Sequence, residues 1–287
     1  MSKWLGMERT IETNYLWKTL RFFSSMVTDR ARQPWEPKER TSFLDILKRG
    51  LFVAAIVGLF LWLVYAELHR NYPFNWRLIL KYRHDFWVGF LMTLKISVVA
   101  LIFSLALGVM IGIGRVSRRV LLSDLALVYV EGIRNIPLLV IVLLVYFGFG
   151  SVFEMSRFFA GVFALTIFQA AYIAEIIRAG IQSVGKGQIW AARSLGVSSG
   201  MTMRYVILPQ VLRRITPALA GQFIYLIQGS SLCSVISLTE LTLTARRILT
   251  VTYASMESYL TLAFLYFVVC AVLSLGTKII ETKLVVE

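Results

Sequence analysis

Glu131 and Arg134 stand three residues apart in apolar sequence, and Glu175 and Arg178 repeat that spacing. Three positions along a helix bring two side chains to one face, so each pair can neutralise itself. An ionisable group inside a membrane segment is costly and normally faces a partner or a polar cavity. Each pair therefore has a second reading, as groups that hold the ammonium and carboxylate of a small zwitterion or gate its path. Glu131 and Arg134 fit a path better, because Pro137 removes a backbone donor and disfavours helical geometry at Ile136, freeing nearby carbonyls. Arg178 reads as a group at the membrane edge. Gln169, Gln222 and Gln228 add neutral donors and acceptors that can equally bond across helices.

The elements that position these groups are membrane helices. Hydrophobic residues make up 57% of the 287 residues, and several runs reach the roughly 18 to 20 apolar residues that cross a bilayer. Spans are expected near 51–66, 87–114, 120–149, 152–180, 215–235 and 259–280. The first follows ten Lys/Arg and six acids in residues 1–49, unlike a secretory signal, whose apolar stretch lies close to the start. It reads as a retained anchor. The net charge of +14 is explained by placement and not by nucleic acid. Twenty-one of the 30 Lys and Arg residues fall in 1–49, 115–119, 176–214 and 278–287, seven on the opposite flanks, and Lys95 and Arg134 within spans. The positive-inside rule then places both termini and the 185–209 loop in the cytoplasm.

Other features are bland. Ile11 to Phe23 reads either as a helix lying on the membrane surface or as a solvated tail, before the turn signal Gln33-Pro34-Trp35-Glu36-Pro37. Tyr72, Trp76, Tyr82 and Trp87 fit an aromatic belt, with His69 and His84 as interface residues. Gly108, Gly112 and Gly114 permit close approach of a neighbouring helix. Cys233 and Cys270 read as small buried hydrophobes, with no second Cys or His at metal-ligand spacing. Gly180 to Lys186 imitates the start of a phosphate-binding loop, but Gly187 stands where Ser or Thr would bind magnesium, and a membrane helix precedes it. Nucleotide binding is not expected on this chain.

Gly185 to Pro209, GKGQIWAARSLGVSSGMTMRYVILP, is polar, basic and glycine-punctuated between two apolar runs. Gln188 to Leu195 suits a two-turn helix ended at Gly196, and Ser198 or Ser199 can cap a second short helix running toward Ile207. Two short helices meeting at a glycine make a knob that can fill a cleft on a partner. The bland alternative is a basic loop held by anionic lipid.

Ala191-Ala192, Gly196 and Ile207-Leu208-Pro209 resemble the coupling loop of ATP-binding-cassette importer permeases. The polar amino-acid uptake branch is matched by Glu175-Ile-Ile-Arg178-Ala-Gly180, Gly187-Gln188, Ala191 to Gly196, Ile207 to Gln210, Thr93-Leu94 and Glu131 to Leu139, over roughly residues 72 to 283. Two departures stand out. Trp190 occupies the position of the family's glutamate. Gln228-Gly229-Ser230-Ser231-Leu232 replaces the Lys-Asp-Thr-Ser-Leu common in the branch, which implies a different substrate or a heterodimer whose partner supplies the charges.

The resemblance implies an all-α integral membrane protein: a five-helix importer permease core plus one extra N-terminal transmembrane helix. The expected divisions are a cytoplasmic tail (1–49), the extra helix with its outer connection (50–85), and the core (86–283) with coupling loop 184–213. Gly187, Gln188, Trp190, Ala191, Ala192, Arg193, Ser194, Leu195 and Gly196 would meet the ATPase. Glu131, Arg134, Gln169, Gln222, Gln228, Ser230 and Ser231 would line the substrate path. The implied partners are a second permease subunit, two ATPase subunits carrying ATP and magnesium, an extracytoplasmic amino-acid-binding protein and lipid, in a bacterial inner membrane. This chain would carry no cofactor. An ion-gradient-driven transporter and a membrane scaffold subunit are the competing classes. The first predicts inverted repeats with broken midplane helices; only the importer requires a stoichiometric ATPase. Acidic, basic and amide amino acids, and homodimer and heterodimer, all remain open.

Overall fold

The computed structural model describes residues 43–285. Among the described residues every regular element is helical. The chain divides into two compact units, Met1–Pro73 and Phe74–Glu287. The expected surface helix Ile11 to Phe23 and the turn at 33–37 lie outside the described residues.

Helix α1, Phe43–Asn71, belongs to the first unit. Its apolar stretch is Leu51–Glu67, in which Leu51, Phe52, Phe60 and Trp62 are all exposed. A helix apolar on all sides without its own core is built to face lipid or another chain. The stretch falls at the short end of the about 17 to 25 residues that cross a bilayer.

The second unit begins with a short helix α2, Trp76–Lys81, followed by α3, Arg83–Arg115. Next come α4, Val120–Arg134, and α5, Leu138–Val152. Helix α6 is Arg157–Gln182, α7 is Lys186–Ser194, and α8 is Ser199–Ile236. Helices α9, Leu241–Thr252, and α10, Ser255–Val285, complete the unit. Helices α3, α6 and α8 and the Ser255–Ile279 part of α10 are each long and apolar enough to cross a membrane.

The expected third span, 120–149, is not one rod. Helices α4 and α5 meet at 102°. The Ile136 N–H bonds Ile133 and closes α4 with a tight turn, while Pro137 turns extended and its carbonyl accepts from Val140 and Ile141 to start α5. Proline lacks the donor that would continue α4, so the break falls where the sequence placed it.

Close helix contacts give directions. A Cβ added at Gly108 would lie 2.6 Å from Ile173, one at Gly112 2.9 Å from Ile177, and one at Gly161 2.9 Å from Ile96. Rising numbers on α3 meet rising numbers on α6, so these helices run parallel. The bent α4–α5 pair must therefore return the chain across the membrane once, as a broken span and not a re-entrant loop. Helix α8 runs antiparallel to α6, because Gln169 meets Gln222 and Gly180 meets Ile215. Residues from Phe74 onward thus make five crossings, as the sequence led us to expect of the core.

Helix α8 begins at Ser199, well before the expected 215. The second short helix of the loop is the first turns of this span. A wide turn over Thr202–Ile207 precedes Pro209, which accommodates a residue that cannot donate and whose ring crowds the preceding turn. At its other end a tight 3-10 turn, Ser231–Ile236, stops at Ser237 in left-handed geometry (φ 60°). Helix α9 was not anticipated from the sequence.

Candidate functional site

The loop helix α7 presents two faces. Its inner face carries Ala192, 7% exposed, and half-buried Ile189. Ile189 joins a cluster of Ile173, Ile177, Val184, Ile207, Val211 and Ile215. Its outer face carries Trp190 at 63% and, just beyond its end, Leu195 at 83% exposure, among exposed Lys186, Gly187, Ala191, Arg193 and Ser194. Gly196 ends the helix at φ 75°, with its N–H bonding Arg193 and the Val197 N–H bonding Ala192. This paired closure satisfies the last carbonyls and favours glycine at the left-handed position. Ser198, not Ser199, caps α8, its Oγ accepting the Met201 N–H at 3.4 Å. Helix α7 is the first short helix expected of the loop, starting two residues early, and the first turns of α8 stand in place of the second to complete the knob.

Gln188 has an internal partner: its Oε1 accepts from Gln210 Nε2 at 2.7 Å. Gln210 Nε2 also donates to the Val206 carbonyl at 2.9 Å. One turn on, Arg214 Nη1 donates to the Ser183 carbonyl (2.6 Å) and Oγ (2.8 Å) at the end of α6. Neither Gln210 nor Arg214 was singled out from the sequence as a contact residue. Their four-residue spacing on a helix beside the loop was the available signal.

The expected path residues separate into groups. Gln169, 2% exposed, donates through Nε2 to Gln222 Oε1 at 2.6 Å and to the Gln222 carbonyl at 3.2 Å. These two link α6 to α8. Glu131 and Arg134 are exposed and form no ion pair with each other; the Arg134 guanidinium lies 5.3 Å from the Tyr172 ring centre. Tyr172 in turn packs against Phe168 and Tyr225, so Arg134 overlooks an aromatic cluster on α6 and α8. Gln228 approaches Cys270 Sγ at 3.7 Å. Ser231 Oγ bonds the Gln228 carbonyl at 2.7 Å, and buried Ser230 Oγ bonds the Ile227 carbonyl at 2.7 Å. Both hydroxyls are engaged by their own helix.

The second charged pair does close. Arg178 grips both Glu175 oxygens, with Nε at 2.8 Å from Oε2, and also reaches Gln182. Arg115 at the end of α3 approaches Glu175 at 3.9 Å. A two-point arginine–carboxylate contact fixes geometry as well as charge.

A polar node at the other end of the molecule was missed. Glu240, fully buried, accepts from the backbone N–H of Thr242 and Leu243 (2.8 Å each) and from Tyr266 Oη (3.1 Å). It caps α9 and ties it to α10, while Thr93 Oγ1 accepts the Leu241 N–H at 3.0 Å and ties it to α3. Burial pushes the Glu240 carboxyl above the ordinary carboxylate range, against the opposing pull of those donors. Among the described residues no cluster of His, Cys, Asp or Glu could hold a metal.

Comparison with known proteins places this geometry. Residues 104–286 match the family profile described as "Binding-protein-dependent transport system inner membrane component". The chain is 41% identical over 197 residues to the "Probable glutamine ABC transporter permease protein GlnM" of Bacillus subtilis (strain 168), covering 68% of this chain and 91% of that one. It is 37% identical over 199 residues to the "Glutamine transport system permease protein GlnP" of Escherichia coli (strain K12), with the same coverage. Its fold matches a chain in a crystal structure of an amino acid ABC transporter with histidines, at TM-score 0.70 and 40% identity, over 74% of this chain and all of that one. The chain thus belongs to the family of binding-protein-dependent transport inner-membrane components, and is a permease subunit of an ATP-binding-cassette transporter whose ATPase is a separate subunit.

Proposed function

We propose that this chain is half of the membrane route of an ATP-driven, binding-protein-dependent importer of polar amino acids. A second permease subunit, of the same or a different sequence, completes the route. Two ATPase subunits sit beneath it, and an extracytoplasmic binding protein delivers substrate. The amino-acid class follows the similarity to the glutamine permeases and to the amino acid transporter structure. Both termini and the knob lie in the cytoplasm, as the positive charge bias requires. Helix α1 adds the extra N-terminal crossing.

The observation that carries the reading is the knob. Large apolar side chains, Trp190 on α7 and Leu195 just beyond its end, stand exposed outside the membrane spans. Buried Trp is the residue most enriched among interface anchors, and a rim of Lys186 and Arg193 suits an acidic surround. Trp190 replaces an acid contact with an apolar one. Gly187, Gln188, Ala191, Ala192, Ser194 and Gly196 shape and hold the surface that α7 offers. In the path, Arg134 is the cation for a substrate carboxylate, with Glu131 on the same helix. Gln222, Gln228 and Ser231 supply its neutral polar wall, with buried Gln169 and Ser230 behind it.

Substrate-driven uptake into proteoliposomes containing permease, ATPase and binding protein tests the proposal. ATP-dependent accumulation that vanishes when α7 is deleted is the expected result. Accumulation that persists without α7, or that needs no ATPase, overturns it.

A further inference from the structure

We propose that Gln210 and Arg214 are positioning residues that join α7, the end of α6 and the first half of α8 into one rigid lever. The inference rests on the reading of α7 as the docking helix. Two kinds of contact hold these elements together, and they constrain different motions. The aliphatic cluster of Ile173, Ile177, Val184, Ile207, Val211 and Ile215 resists separation, but apolar contact is non-directional and permits sliding and rotation. Gly180 brings the helices so close that a methyl group there would lie 2.3 Å from Ile215.

Direction comes from the polar bonds. Gln210 and Arg214 lie one turn apart and therefore on one face of α8. Gln210 takes hold of α7 through Gln188 (2.7 Å), and Arg214 takes hold of the end of α6 through two atoms of Ser183 (2.6 and 2.8 Å). Gln210 is also anchored to its own helix at Val206. Hydrogen bonds weaken steeply off axis, so this face fixes the angle between α7 and α8. A stroke received at Trp190 is then delivered to α8 without loss in the joint. Without the brace, α7 still docks but turns against α8.

The test uses the complete reconstituted assembly and reads substrate transported per ATP hydrolysed, together with ATPase recovered on purification. Gln210→Ala and Arg214→Ala should keep the ATPase bound and hydrolysing, yet lower the transport-to-ATP ratio by about threefold or more, the scale of one lost hydrogen bond. Arg214→Lys, which can still donate to Ser183, should restore much of it. A short bis-maleimide bridge between Ser183→Cys and Arg214→Cys should restore the ratio that the unbridged pair loses, because the lever does not flex there. No gain on bridging, or wild-type ratios in both alanine variants, overturns the brace. Failure of the wild-type chain to retain ATPase would instead strike the docking reading.

Discussion

Trp190 concentrates the account at the scale of one residue. An exposed indole among basic groups has little to gain from water and much from an apolar socket. Trp190→Ala should weaken capture of the ATPase by about 2 kcal/mol or more, about thirtyfold in affinity, with little change in the thermal stability of the isolated permease. Titrating ATPase onto immobilised permease measures this; unaltered affinity would remove Trp190 from the interface. Glu240 carries a different prediction. Its carboxyl is raised by burial, so the folded protein binds that proton more tightly than the unfolded chain does. The stability it confers is complete below the ordinary carboxylate value and is lost as pH rises through the folded value. Melting curves in detergent should show wild-type Tm falling over that window and Glu240→Gln staying flatter. Parallel profiles would mean that Glu240 is ionised in the fold throughout.

Helix elements show what the sequence could and could not disclose. Gly108 and Gly112 were legible as a packing stripe because small residues one turn apart have one physical use, and both meet α6. Gly108→Ala should destabilise the fold by about 1–3 kcal/mol through overpacking, while alanine at Gly132, which has open space around it, should not; paired melting measurements distinguish them. Pro137 marked the α4–α5 break but not its 102° angle, which depends on what α5 packs against. The knob was legible from Gly196 and the serines, since left-handed closure and capping are local. The start of α8 was misplaced because Arg204, Gln210, Arg213 and Arg214 interrupt its apolar residues, and packing of Ile207, Val211 and Ile215 on α6 decides its state. Helix α9 was missed for a related reason: its cap, Glu240, finds Tyr266 twenty-six residues onward, a contact that no window of sequence contains. Likewise Glu131 and Arg134 share a helix face, yet Arg134 turns to Tyr172 on another helix.

Across the whole chain from Phe74 onward, the arrangement reads as a transmission. Parallel α3 and α6, locked at their glycines, form a stiff wall, and α8 runs antiparallel along it from the knob to the left-handed stop at Ser237. On the proposed docking of α7, movement applied there passes along α8 to the glutamine and aromatic groups it shares with α6. The direct measurement is site-specific cross-linking during turnover: Trp190→Cys in the assembled transporter, probed with a short thiol-reactive reagent carrying a photoactivated arm. The seated-knob account expects adducts with the ATPase subunit that vary between its nucleotide-free and ATP-bound states. Adducts only with lipid, or labelling of that cysteine by an impermeant reagent added outside sealed cells, would contradict it.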